Sequence, residues 1–140
     1  VDLLRAVGYC EKIGVAMISR VLLYVGSAFI LFWGVAHLFP TRSVVRGFGD
    51  ISLDNKRIIA MEWIIEGISL IFIAAVIITV TFIDRTSIIS RTIYWICFIM
   101  LNVLSVVSLM TGFKVRLLPF KLCPVIFTTA SILILLGNYL

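Results

Sequence analysis

The sequence predicts an all-α integral membrane protein, an antiparallel bundle of four transmembrane helices, and three observations carry that prediction. First, 62% of the 140 residues are hydrophobic and only 14% are charged, with a mean hydropathy of +1.20, whereas soluble domains hold roughly 45–50% apolar residues. A soluble domain of this size would still expose roughly a third of its unfolded surface, and this chain has too few polar residues to cover it. Second, four apolar runs each reach the roughly 20 residues that a helix needs to cross a hydrocarbon core about 30 Å thick. Third, the basic residues behind the net charge of +5 fall in short clusters between those runs, the arrangement expected of loops at anionic headgroups and not of a nucleic-acid-binding stripe. Inside lipid every backbone polar group must be satisfied within the segment, so runs of this length are helices.

The opening stretch, 1–17, lacks the apolar block and small-residue cleavage site of a secretory signal. Leu3, Leu4, Val7, Ile13 and Ile18 lie loosely on one helical face, with Arg5, Glu11, Lys12 and Arg20 interspersed, which predicts an interfacial helix leading into the first span. That span, 21–39, reads VLLYVGSAFILFWGVAHLF and stops at Pro40, which has no amide proton to continue a helix. A polar loop is expected over 40–57, where Gly47 and Gly49 allow tight turns. The second span is expected over 58–83, the third over 88–110 and the fourth over 122–140, joined by the short connections 84–87 and 111–121. Short connections imply antiparallel neighbours. The chain contains no repeat, so 1–140 is expected to form one domain.

With four spans, both termini lie on one side with Arg5, Lys12, Arg20, Arg85 and Arg91, and the long loop lies on the other with Arg42, Arg46, Lys56, Arg57, Lys114, Arg116 and Lys121. The basic excess favours cytoplasmic loops and outward termini in a multi-pass protein of a prokaryotic cell membrane. Cys10, Cys97 and Cys123 are widely separated, with no C-x-x-C pair to suggest a dithiol or zinc centre.

A few polar residues interrupt the spans. Glu62 and Glu66, in RIIAMEWIIEGISL, are four apart and therefore share a helix face. Ionisable groups in membrane helices are costly and usually face the bundle interior or water. Counted from the same membrane side by helix rise, Glu62 and Glu66 lie about 6 and 12 Å deep, His37 about 3 Å, Asn102 about 12 Å, and Thr128 with Ser131 about 9–14 Å. These side chains occupy one half of the bilayer, with Cys123 and Pro124 at its mouth. Each also has a plainer reading. His37, the single histidine, suits a helix C-terminus. Glu62 suits a headgroup-level pair with Arg42, Arg46 or Arg57. Glu66 suits an interhelical bond to Asn102. Trp33, Trp63, Trp95 and Tyr94 suit aromatic belts, although Trp33 and Trp63 can also wall a ligand.

Together, His37 and Glu66 could exchange a proton with a lipid-soluble substrate. Two glutamates and one histidine fall short of the carboxylate-rich set of a di-iron bundle, so no metal is expected. No serine or cysteine nucleophile with a paired base stands out.

Arg20 before a glycine-containing span, the G-x-x-H of Gly34 and His37 followed by Pro40, and Glu66 with Gly67 and Leu70 in the second span together resemble the DoxX-like group of small four-helix membrane proteins. The resemblance covers about residues 20–80. It implies the four-helix fold and, through the thiosulfate:quinone oxidoreductase subunit that gives the group its name, a link to quinone chemistry; a shared fold does not itself imply a reaction. The long first loop and Glu62 depart from the simple pattern. The absence of C-x-x-C separates the chain from vitamin K epoxide reductase-like proteins.

The resulting expectation is a small membrane protein that binds an apolar or amphipathic ligand, a quinone or lipid, in a half-bilayer pocket. His37 and Glu66 would form the polar centre and be the candidate catalytic groups. Trp33, Glu62, Trp63, Asn102 and Thr128 would surround them, and Arg42 and Arg46 would meet headgroups. No cofactor beyond a quinone is expected, and the partners are the bilayer, the ligand, and a membrane protein or a second copy. The rival expectations are a structural or assembly subunit without ligand chemistry, and an acid–base enzyme acting on a lipid.

Overall fold

Five helices follow one another in the computed structural model: α1 (Asp2–Leu38), α2 (Thr41–Gly47), α3 (Leu53–Asp84), α4 (Ile88–Thr111) and α5 (Leu118–Tyr139), with a 3₁₀ turn at Gly112–Lys114 preceding α5. The structure describes residues 2–115 and 118–140, and the side chains of 2–7, 10 and 113 lie outside the description. The expected interfacial face of Leu3, Leu4, Arg5 and Val7, the thiol of Cys10, and Arg116 fall outside the described residues.

Four of the helices are long and apolar enough to cross a membrane, over Glu11–Leu38, Leu53–Asp84, Ile88–Thr111 and Leu118–Tyr139. They pack antiparallel, and large apolar side chains such as Phe32, Phe72 and Phe82 stand exposed on the outer surface, as lipid contact requires. The helix caps explain the boundaries. Ser52 accepts the amide of Asn55 at the start of α3, and Ser87 accepts that of Ser90 at the start of α4, each satisfying an orphan donor of a first turn. At the end of α1, Pro40 stops the ladder, and the freed carbonyl of His37 accepts from the indole N–H of Trp63 at 2.5 Å and from Thr41 Oγ1 at 3.3 Å.

The 40–57 segment differs from the expected loop. Residues Thr41–Gly47 form α2, which seats Val44 against the bundle, and α3 begins at Leu53. Only a short turn remains, and Gly49 takes a positive φ of 76° there, a conformation glycine adopts without steric cost. The segment is helical because Val44 finds an apolar seat that its polar composition hides.

Helix α1 is the central element. It packs along α3 on one side and α5 on the other, and α5 in turn packs along α4. The α1–α3 crossing is set by Gly34 and Gly67, where a Cβ on either would come within 2.8–2.9 Å of the other's carbonyl oxygen. Lipid tails are as apolar as leucine, so close backbone approach and dispersion, not hydrophobic expulsion, hold such helices together. Leu23, Ile30, Leu70, Ile77, Leu101, Phe127 and Ile134 fill the core between the four spans. Helices α3 and α4 are consecutive and joined by the turn 85–87, yet they make little contact and leave a groove between them.

At the terminal side a hydrogen-bonded network ties the spans. Arg85 Nη1 donates to Ser19 Oγ at 2.5 Å, and Ser19 donates to the carbonyl of Gly137 at 2.6 Å. Thr81 Oγ1 lies 2.9 Å from the hydroxyl of Tyr94. Tyr94 is therefore a core residue and not part of an aromatic belt, because its hydroxyl finds a partner inside the bundle.

Candidate functional site

The buried stripe of α1 runs through Leu23, Ser27, Ile30, Gly34 and His37, the 3.6-residue period of a single helical face. His37 is its last member, so its imidazole is carried inward. On α3 the stripe passes through Trp63, Gly67 and Leu70, and Glu66 sits at its edge. On α5 it starts at Cys123. The Gly34–Gly67 crossing brings these three stripes together at one level.

His37 is 1% exposed, and its Nε2 lies 3.7 Å from Glu66 Oε1 and 4.0 Å from Cys123 Sγ. Glu66 is 34% exposed. The other ring nitrogen, Nδ1, lies 2.9 Å from the carbonyl oxygen of Trp33. A carbonyl can only accept, so Nδ1 carries a proton, and Nε2 is the nitrogen turned toward the carboxylate and the sulfur. Trp63 stacks on the imidazole at a centroid distance of 4.4 Å and an interplanar angle of 24°, and Trp33 meets its edge at 5.4 Å. Phe120 covers Trp63, and Phe48 covers Phe120, so an aromatic stack closes the cluster on the loop side. Ser108 and Trp33 flank the Cys123 sulfur. The indole nitrogen of Trp33 is buried and has no hydrogen-bond partner among the described residues.

Glu66 and Cys123 line the wall of a cavity of about 610 Å³ between α3, α4 and the start of α5. A second cavity of about 660 Å³ continues along the α3–α4 gap, and Ser69 and Met100 belong to both. The first is bordered by Glu62, Glu66, Ser108 and Thr111, the second by Phe72, Ile73, Val76 and Ile96. The two cavities are therefore neighbours along the α3–α4 gap, with the carboxylates at the loop-side one.

The other residues singled out by sequence are placed variously. Trp63 is both on the histidine and in the groove wall, and Trp33 is against the histidine. Neither forms a headgroup belt, since Trp63 is buried and Trp33 half-buried; Trp95 is 39% exposed near Tyr139. Glu62 is exposed on the groove rim, and among the described residues it makes no ion pair with Arg42, Arg46 or Arg57; Arg57 instead pairs with Asp54 at 3.7 Å. Arg42 and Arg46 lie exposed on α2, outside the groove wall. The expected bond between Asn102 and Glu66 is not formed. Asn102 donates to the carbonyl of Phe98 on its own helix at 2.8 Å, because Met100, Leu104 and Ser108 present the groove face of α4 and residue 102 lies off that face. Thr128 bonds Ser105 at 2.8 Å in the α4–α5 seam, away from the cluster.

Cys123 is the residue that sequence reasoning leaves without a partner. Its depth matches that of His37, but nothing in the linear pattern shows which way a thiol on a uniformly apolar helix points. His37 Nε2 faces its sulfur at 4.0 Å, a juxtaposition that the linear sequence does not show.

The chain is a multi-pass, four-span helical membrane protein with a polar cluster at one end of a lateral groove. No family model, curated protein or solved structure matches it, and no family is assigned.

Proposed function

We propose that the protein binds an amphipathic, lipid-soluble molecule in the α3–α4 groove, with the polar end of the ligand at Glu66 and His37 and its apolar tail along Ser69, Met100, Phe72 and Ile96. The observation that carries this reading is the adjacency of the two cavities, which share Ser69 and Met100 in their walls, combined with the placement of both carboxylates in the loop-side one. A concave, mostly apolar site with a few convergent polar groups is the usual form of a ligand pocket. Tails exchange between groove and bilayer at little net gain, since both are apolar. Discrimination therefore falls to the polar end, where a ligand hydroxyl can donate to the Glu66 carboxylate or to Nε2 of His37. The resemblance to the DoxX-like group supports a quinone within this ligand class, and the basic excess on the long-loop side supports outward termini in a prokaryotic cell membrane.

Native mass spectrometry and lipid extraction of protein purified in mild detergent test the reading. The wild type is expected to retain one bound quinone or lipid per chain, and Met100→Trp, which fills the junction of the two cavities, is expected to lose it without loss of thermal stability. Equal lipid retention by both proteins would overturn the proposal and leave a structural or assembly role.

A further inference from the structure

We infer that His37, Glu66 and Cys123 form a binding site for a borderline divalent transition metal such as Zn²⁺, with three protein ligands and one position open toward the groove.

The three ligand atoms, one imidazole nitrogen, one carboxylate oxygen and one sulfur, lie within 4.8 Å of one another. Their arrangement is convergent. In a nucleophile relay, the nucleophile and the orienting acid sit on opposite nitrogens of the histidine, which is itself the base. Here both Cys123 Sγ and Glu66 Oε1 face Nε2, at 4.0 and 3.7 Å, and the opposite nitrogen is anchored on a backbone carbonyl. The carboxylate separation exceeds the roughly 2.7–3.2 Å of a direct N–H···O hydrogen bond, and the sulfur lies at the outer limit of a hydrogen bond to Nε2. Both separations are close to the roughly 3.4–3.8 Å between ligands of a tetrahedral ion bound at about 2.0–2.3 Å. The ring orientation is the one a metal ligand needs, because a metal-binding histidine commonly donates its second N–H to a carbonyl or carboxylate, which fixes the tautomer and frees the other lone pair.

The unpartnered indole N–H of Trp33 is an independent indication. This group is buried with the Cys123 sulfur as its neighbouring weak acceptor and makes no hydrogen bond of ordinary geometry among the described residues, and a poorly met buried donor calls for an explanation. A neutral thiol accepts weakly, whereas a metal-bound thiolate is a good acceptor for both Trp33 and Ser108. Sulfur, imidazole and carboxylate together suit Zn²⁺ better than Mg²⁺ or Ca²⁺, which take all-oxygen shells. Three protein ligands with an open fourth position are the pattern of zinc sites that engage a substrate or water. Glu66 and Cys123 in the groove wall direct that position toward the cavity. The metal site does not depend on the ligand reading, since the three residues converge whether or not the groove holds a lipid.

Titration of the full-length protein in detergent with Co²⁺ as probe tests the site. The wild type is expected to bind one equivalent with a thiolate-to-cobalt charge-transfer absorption. Cys123→Ala abolishes that absorption, Zn²⁺ displaces the cobalt, and loss of either Cys123 or His37 weakens Zn²⁺ binding by more than about 100-fold. Glu62→Gln and Cys97→Ala retain the absorption. The groove-filling Met100→Trp also retains it, so failure of the lipid proposal and failure of the metal site are separately visible. Survival of the band in Cys123→Ala, or substoichiometric binding by the wild type, overturns the site. Should the alanine variant not fold, site-resolved alkylation of the wild type decides the question: Zn²⁺ is expected to protect Cys123 from a membrane-permeant maleimide at least about tenfold while leaving Cys97 unaffected, and equal labelling of Cys123 with and without Zn²⁺ overturns the inference.

Discussion

The two ends of this bundle differ in how closely their polar side chains meet, although each keeps one buried atom without a partner among the described residues, Asn138 Oδ1 at the terminal side and Trp33 Nε1 at the loop side. At the terminal side, the guanidinium of Arg85, the hydroxyl of Ser19 and the carbonyl of Gly137 form a chain of bonds of 2.5 and 2.6 Å, and Thr81 and Tyr94 satisfy each other at 2.9 Å. At the loop side, Nε2 of His37 meets two groups at 3.7 and 4.0 Å, and the indole N–H of Trp33 meets none among the described residues. An unmet polar group in a low-dielectric interior costs more than a met one gains. The first arrangement holds the bundle together, and the second leaves polar groups free for the ligand and the metal proposed above. If the loop side is a site, its groups trade stability for readiness to bind, and the substitutions below measure that trade.

The largest effect is expected where the two halves share a framework. Gly67→Ala would place a methyl group 2.9 Å from the carbonyl of Gly34 and 3.0 Å from Cβ of His37, and the neighbour is backbone that cannot swing away. A loss of about 3 kcal/mol is expected from such overpacking, read as a fall in the thermal midpoint in detergent, together with loss of Co²⁺ binding. A variant that keeps both would show that the crossing does not position the cluster. Ser19→Ala comes next. It strands Arg85 and the Gly137 carbonyl together, and about 2 kcal/mol is expected to be lost with the metal site unaffected. A smaller loss, of about 1 kcal/mol, is expected for Trp63→Phe, which keeps an aromatic face on His37 but removes the N–H bond to its carbonyl; Thr41 still reaches that carbonyl at 3.3 Å.

The contrast between the halves also marks what sequence can and cannot reveal in a membrane bundle. Length and hydropathy identify the four spans, because lipid demands self-satisfied helices, and Pro40 ends the first where expected. Depth along a span is likewise readable from helix rise, and that is why the linear order of residues alone places His37 and Glu66 in the same half of the bilayer. Direction around the helix axis is not readable in the same way. In water the polar face of a helix announces its buried face, but a span that is apolar on all sides carries no such mark. Asn102 and Thr128 share the depth of the cluster and lie off its face, and Cys123 shares both depth and face while its neighbours in the chain give no hint. The opening between α3 and α4 belongs to the same class of hidden features. A short connection implies adjacency, yet α1 engages α3 closely through glycines, and nothing comparable draws α4 against it. Small residues alone do not mark which spans close, since Ser69, Cys97 and Ser108 line the open α3–α4 groove.

Glu66→Gln has the smallest expected effect on stability and the greatest bearing on the comparison. The carboxylate is one-third exposed to the groove, and its nearest partner is 3.7 Å away. Removing its charge forfeits a weak attraction to His37 while relieving the desolvation of an ion in an apolar wall, two terms of opposite sign that commonly cancel for such pairs. The thermal midpoint should therefore shift by no more than about 0.5 kcal/mol in either direction, while Co²⁺ affinity and retention of the groove ligand both fall. A loss of stability as large as that of Ser19→Ala would mean that the loop-side cluster is a fastening like the terminal one. A stability gain with loss of ligand and metal would instead place Glu66 among residues whose charge is kept, at some cost to the fold, for what it binds.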